Sequence, residues 1–259
     1  MQLNNLRGKY LLTVDSITSE LIGILSGKND DFAEIARHFH TFIHEIIDSM
    51  QILINQNCLW DADILLRPMA EVSVKLAFIS YFNDEDGNNE KVKEFWTGLS
   101  EINRLKESKL VAQIMADLNI KSETLNDLII PEEEEAKLKE KWAKSNRQKV
   151  EQPWSYNEII KTISKESNRT EILCLNRNFT MSSHLIHADK TALGVIQDRK
   201  NRNNEDKLLS HNSHIRKLYS DSATLYLWVL QLTADFYKVG LSEQLLFNKK
   251  EYLKEADQF

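Results

Sequence analysis

The sequence predicts an all-α fold, a multi-helix bundle, and two observations carry that expectation. Only 7 Gly and 3 Pro occur among 259 residues, too few to punctuate the many tight turns of a sheet protein. Along most of the chain, apolar residues recur at the three- and four-residue steps that place side chains on one face of a helix. With 42% hydrophobic residues the chain has enough apolar mass for a sizeable core, and its length is compatible with one large domain.

The first helix is expected over about 9–26, where Leu11, Leu12, Val14, Ile17, Leu21, Ile24 and Leu25 follow the helical period and Gly27 supplies a stop. Asp30 or Asp31 caps a second helix over about 31–56. Its stripe of Phe32, Ile35, Phe39, Phe42, Ile43, Ile46, Met50 and Leu53 is the clearest amphipathic pattern in the sequence. The third helix, about 59–82, is apolar nearly all round and so belongs in the middle of a bundle. Pro68 within it predicts a kink or a break.

Asn83–Asn89 is a polar loop. Helical spacing resumes over about 89–118, with an interruption near Gly98. Pro131 opens a highly charged helix from Glu132 to about Lys149, whose acidic start complements the positive end of the helix dipole. This helix has few apolar anchors, and the segment 121–150 is expected to be a peripheral charged insertion in a single domain, 1–259. Ser155 with Glu158 forms a capping box for a short helix to about 165. Helices at about 170–188 and 212–239 follow, separated by a polar stretch, Gln197–Asp206, expected to be a loop. A short helix after Gly240 ends the chain.

The formal net charge of −6 excludes a whole-chain positive field that would draw the protein onto nucleic acid or anionic lipid. Any such contact must come from a local patch. Cys58 and Cys174 lie far apart in sequence, with neither a zinc spacing nor the density of a disulfide framework. The N-terminal residues lack a basic region followed by an apolar stretch, and no apolar run reaches about 18 residues. A cytoplasmic protein with no membrane segment is the expectation.

Candidate site residues are polar groups placed where a core helix should not have them. Arg67 and Glu71 stand four apart on the face that also carries Trp60, Ile64, Val74 and Phe78. A half-buried charged pair is either a structural tie to a neighbouring helix or part of a site. In Asn176–His187, the residues Asn176, Thr180, Ser183 and His187 form one polar stripe, His184 borders it, and Arg177 sits two turns before His184.

Histidine is the usual proton carrier near neutral pH and arginine the usual planar phosphate clamp. Together they suffice for RNA cleavage without a metal, in which a base takes the 2′-hydroxyl proton and a cation steadies the charged phosphorane. The same polar groups would equally serve as a hydrogen-bonded network on a packed helix. His38, His40, His44 and Asp48 include a four-residue spacing that can bind metal, but they point away from the apolar stripe and are read as a solvated face. His211 and His214 follow the basic run Arg199–Arg202, which is either a local anion patch or a solvated loop.

The segments Leu65-Leu-Arg-Pro-Met-Ala-Glu71 and Phe179-Thr-Met-Ser-Ser-His-Leu-Ile-His-Ala188 together resemble an uncharacterised family of bacterial helical proteins, catalogued only as a domain of unknown function. Its recurring polar positions correspond to Arg67, Glu71, Ser183 and His187. Arg177-Asn178 followed by His184 also resembles, more weakly, the signature of the HEPN superfamily of helical nucleotide-binding proteins and ribonucleases. That resemblance implies a metal-independent ribonuclease or nucleotide-binding protein of a bacterial stress or phage-defence system. It implies RNA or a nucleotide as ligand, a toxin–antitoxin or defence protein as partner, and a homodimer that brings two motifs together. Neither resemblance implies a cofactor or a metal. The expected catalytic set is therefore Arg67, Glu71, Arg177, Ser183, His184 and His187. The alternative is a non-catalytic helical interaction module in which the Arg/Glu/Ser/His cluster is a buried structural network.

Overall fold

A computed structural model of the chain describes residues 2–82, 89–166, 172–173 and 175–257, excluding the side chains of residues 2, 176–178 and 257. The fold is all-α, with no strand among the described residues. In chain order the helices are α1 (Gln2–Leu25), α2 (Asp31–Asn55), α3 (Leu59–Tyr81), α4 (Glu90–Lys93), α5 (Ser100–Leu118) and α6 (Glu123–Asn126). They continue with α7 (Glu132–Lys141), α8 (Lys144–Glu151), α9 (Tyr156–Glu166), α10 (Leu175–His187), α11 (Lys190–Asn201), α12 (Asn204–Tyr237) and α13 (Glu243–Asp257). The chain divides into two compact units, residues 1–81 with 160–259, and residues 82–159. The charged segment 121–150 lies inside the second unit, which is wider than that segment alone.

In the first unit α3 packs against α2, α10 and α12, while α1 packs against α12 and α13. The core is built by the apolar stripes that the sequence displays. Helix α2 packs against α3, and Ile35, Ile43, Ile47 and Met50 of the one and Leu66, Met69, Val74 and Leu76 of the other are fully or almost fully buried. Burying a side chain of this size contributes about 1.5–3 kcal/mol.

Helix α1 begins some seven residues earlier than the periodicity suggests. Leu6 and Tyr10 are both fully buried, so the first turns are anchored even though most of their other residues are polar. Asp30 is the cap of α2, its carboxylate accepting from the Ala33 amide at 3.0 Å, and Gly27 takes the left-handed conformation after α1 with φ 73°. Pro68 does not break α3. It removes one backbone donor, and burial of Leu66, Met69 and Ala70 around it keeps the helix continuous.

Two polar stretches fold differently from expectation. Gln197–Asp206 is not a loop: α11 runs to Asn201 and α12 starts at Asn204. Asn203 caps α12 by accepting from the Asp206 amide at 2.9 Å, so a two-residue joint replaces the expected loop. The four-residue pair Asp198–Arg202 at 2.7 Å belongs to helical spacing that a count of polar residues hides. The charged helix at 132–149 is two, parted at Trp142 and Ala143.

The second unit gathers around Leu105, Ile130 and Leu138, with Trp142 packed on them. Trp142 donates to Glu101 at 2.7 Å, and Trp154 donates to Glu94 at 2.9 Å, so each buried indole nitrogen is satisfied. The interruption expected near Gly98 is a π-helical turn, Glu94–Leu99, the form that single inserted residues take inside α-helices.

Candidate functional site

On α3, Asp63, Arg67 and Glu71 recur at four-residue steps and form a charged stripe on a largely apolar helix. Helix α10 lies against α3 and meets this stripe with two adjacent serines. Ser182, fully buried, donates to the Asp63 backbone carbonyl at 3.0 Å. Arg67 Nη1 donates to Ser183 Oγ at 3.4 Å, and Arg67 Nε donates to Glu71 Oε1 at 3.3 Å. The guanidinium lies 4.6 Å from the ring centre of Phe179, within reach of a cation–π attraction. Arg67, Glu71 and Ser183 thus come together around Phe179.

The other expected site residues stand apart from this trio. His187 is the last residue of α10 and is exposed. Among the described residues no hydrogen bond or ion pair joins it to Arg67 or Glu71. His184 is half-buried, and its Nδ1 lies 2.5 Å from Asp189 Oδ2. A carboxylate accepts only, so Nδ1 carries the hydrogen, and in the neutral ring the lone pair is on Nε2. Asp189 also caps α11 through the Thr191 and Ala192 amides. The His184 bond, with these amides, holds the Asp189 carboxyl below the usual range despite an opposing desolvation effect. The Arg177 side chain lies outside the described residues.

A second constellation centres on Asp63, which is 3% exposed. Its Oδ2 is 3.0 Å from His214 Nε2 and its Oδ1 is 2.8 Å from Lys217 Nζ. Arg199 Nη1 lies 2.9 Å from His214 Nδ1. Arginine has no acceptor, so His214 accepts at Nδ1 and donates from Nε2 to Asp63. The Arg199 guanidinium also covers the Trp60 ring at 4.3 Å. Burial pushes the Asp63 carboxyl up, but the His214 and Lys217 contacts outweigh it and the net direction is down. For Lys217, burial is likewise outweighed by Asp63 together with Asp221 at 3.2 Å, and its ammonium is raised.

Trp60, Asp63, Arg199, His214 and Lys217 line a cleft of about 500 Å³. Trp60 and Arg199 also line a neighbouring cleft of about 790 Å³.

The sequence profile of a described family, Family of unknown function (DUF5677), matches residues 33–206. The chain belongs to that family. No curated protein and no solved structure matches it. The DUF5677 match takes in Trp60, Asp63, Arg67, Glu71, Ser183, His184, His187 and Arg199, and it ends before His211, His214 and Lys217. The Asp63 constellation of this DUF5677 chain therefore joins residues inside the match to residues of α12 beyond it.

Sequence reasoning missed Asp63 and Lys217, and it set His214 at the start of the last long helix, beside a basic run at Arg199 read as either a local anion patch or a solvated loop, with no partner assigned. A usable signal existed: Asp63 is an acid four residues before Arg67 on a helix that is otherwise apolar. Nothing local pairs it with His214, 151 positions away.

The histidines of α2 also depart from a fully solvated face. His40 is half-buried and accepts from Tyr226 OH, or donates to it, across 2.6 Å, and Thr18 reaches the same hydroxyl at 3.0 Å. Among the described residues, no three His, Cys, Asp or Glu side chains are grouped as metal ligands would be. No described helix is long and apolar enough to cross a membrane.

Proposed function

We propose that this protein cleaves RNA without a metal, with His184 as the proton-accepting group. The observation that supports this is the 2.5 Å contact between His184 Nδ1 and Asp189 Oδ2. It fixes the tautomer that leaves Nε2 free to act as a base, and a carboxylate behind an imidazole stabilises the imidazolium once the proton arrives.

In the step proposed, His184 Nε2 takes the 2′-hydroxyl proton and the 2′-oxygen attacks phosphorus. The bond from phosphorus to the 5′-oxygen breaks, and that oxygen takes a proton from His187. His187 is three residues on, hence a neighbour on the helix surface. The products are a 2′,3′-cyclic phosphate and a free 5′-hydroxyl. Arg67 and Glu71 act as positioning residues: with Ser183 they hold α10, and so His184, against α3. A bacterial stress or defence setting is the context in which such an activity would be used.

The test is incubation of purified protein with RNA in the presence of EDTA. Expected are 2′,3′-cyclic ends, lost in His184→Ala, with Asp189→Asn slower and its pH optimum displaced. Absence of cleavage by the unaltered protein overturns the proposal.

A second reading is favoured by the way Arg67 is consumed by Glu71, Ser183 and Phe179. It makes the cluster a structural network of a non-catalytic interaction module. On that reading Arg67 and Ser183 variants lower stability, and no RNA is cleaved.

A further inference from the structure

The cleft of about 790 Å³ has the size of a small-molecule site, and its lining is unusual for this chain. Arg199, Lys200, Lys207 and His211 line it, and no Asp or Glu does, although the protein as a whole carries a net charge of −6. Leu59, Trp60, Ile196 and Leu208 supply an apolar and aromatic surface beside these cations. An anionic group joined to a flat, weakly polar body matches both halves.

Arg199 is held ready for an anion. Its ring contact with Trp60 and its single bond to His214 fix the guanidinium plane. Only one of its five N–H donors is spent there. Among the described residues no carboxylate forms an ion pair with it, nor with Lys200 or Lys207. Asp63 attracts the guanidinium only from beyond His214, so leaving its other donors unmet in a half-buried position is costly, and a bound phosphate would accept its forked donors bidentately. Burial and the nearby Arg199 and His214 lower the His211 imidazole, which keeps that ring neutral beside the cations and able both to donate and to accept. Asn57, at the edge of the cleft, adds an amide with the same dual capacity.

We propose that this cleft binds a nucleoside phosphate, its phosphate on Arg199, Lys200 and Lys207 and its base along the Trp60 side beside Asn57 and His211. The anion satisfies the unpaired cations, the ring occupies the apolar surface, and the two neutral dual-character side chains meet a base edge. The site is separate from the chemistry proposed for His184 and does not depend on it.

The test titrates the full chain with AMP, inorganic phosphate, adenosine and octyl phosphate, following heat of binding and tryptophan fluorescence. AMP is expected to bind at least tenfold tighter than phosphate, adenosine or octyl phosphate, and to quench fluorescence in a way that Trp60→Phe removes. Arg199→Lys, which keeps the charge and loses the fork, should weaken AMP tenfold or more. Lys200→Ala with Lys207→Ala leaves the buried contacts of Arg199 intact and should weaken AMP at least threefold. Octyl phosphate matching AMP would indicate an alkyl phosphate site and overturn the nucleoside assignment. AMP binding no tighter than phosphate, or unchanged in both the Arg199 and the Lys200/Lys207 variants, overturns the proposal.

Discussion

Arg199 donates to Nδ1 of His214 at 2.9 Å, and that bond sets the tautomer by which His214 donates to the buried Asp63. One guanidinium on α11 thereby organises a carboxylate on α3 through an imidazole on α12. Lys217 closes the arrangement from the other carboxylate oxygen at 2.8 Å.

Removing the carboxylate charge should therefore unbalance the whole group. Asp63→Asn takes the anion from His214 and from the buried side of Lys217, which keeps only Asp221 at 3.2 Å, and breaking a buried pair from one side costs about 3–5 kcal/mol. Lys217 is partly open to water, so the lower end of that range is expected. Chemical denaturation at neutral pH measures it. A loss below about 1 kcal/mol would mean that Asp63 is not a stabilising centre.

The same group predicts a pH dependence. The folded Asp63 carboxyl is lowered, so its contribution is present above the unfolded value of about 3.9 and is lost as pH falls through the folded value. The Lys217 ammonium is raised. Its contribution is present below the unfolded value of about 10.4 and is lost as pH rises through the folded one. Melting temperature should thus show a carboxylate limb below about pH 4, distinct from any histidine decline at higher pH, and Asp63→Asn should flatten that limb.

Arg67 and Ser183 form a weaker tie. A half-buried hydrogen bond of 3.4 Å is worth about 0.5–1.5 kcal/mol net, so Ser183→Ala should cost at the low end of that. Arg67→Ala also loses the Glu71 pair and the Phe179 ring contact, and about 2 kcal/mol is expected. A double-mutant cycle should return a coupling of about 0.5 kcal/mol. Zero coupling would detach α10 from Arg67 energetically and weaken the positioning role given to it.

His40 offers a second titration. Burial, with the nearby His44, lowers its imidazole, so the folded state resists protonation. Stability is full above the unfolded value of about 6.5 and declines as pH falls below it. His40→Gln should reduce that decline, leaving the part that comes from His211, whose imidazole is lowered as well. Tyr226→Phe, which deletes the hydroxyl shared by His40 and Thr18, should cost about 1–2 kcal/mol at pH 7. A decline that persists undiminished in His40→Gln would assign it to another group.

The helices with a clear apolar pattern were legible from the sequence. The edges of α2 and α3 follow from the stripe on α2 and the nearly continuous apolar run of α3, because burial of those residues is what makes the helices form. The start of α12 was hidden because residues 204–211 are mostly polar and exposed. Their helicity comes from the Asn203 cap and from continuity with a buried helix, not from a stripe of their own. Arg67, Glu71 and Ser183 were legible because polar residues on apolar faces are visible in one dimension. The Asp63–His214–Arg199 chain was not, because its members come from three helices brought together only by packing.

Gly98 supplies a test of the second unit. It is buried within the π-helical turn, and a Cβ built there would stand 3.5 Å from Trp142 Cη2 and 3.8 Å from Val150 Cγ1. Both are ordinary contact distances, so Gly98→Ala fits. It should stabilise by about 0.4–1 kcal/mol, because alanine narrows the conformations open to the unfolded chain. Gly98→Leu has no such room. It must displace Trp142, which strains the indole bond to Glu101 and costs about 1–3 kcal/mol as an overpacked side chain. Thermal unfolding monitored by tryptophan fluorescence separates the two. If alanine destabilised as much as leucine, the turn itself, and not the indole above it, would be what requires glycine.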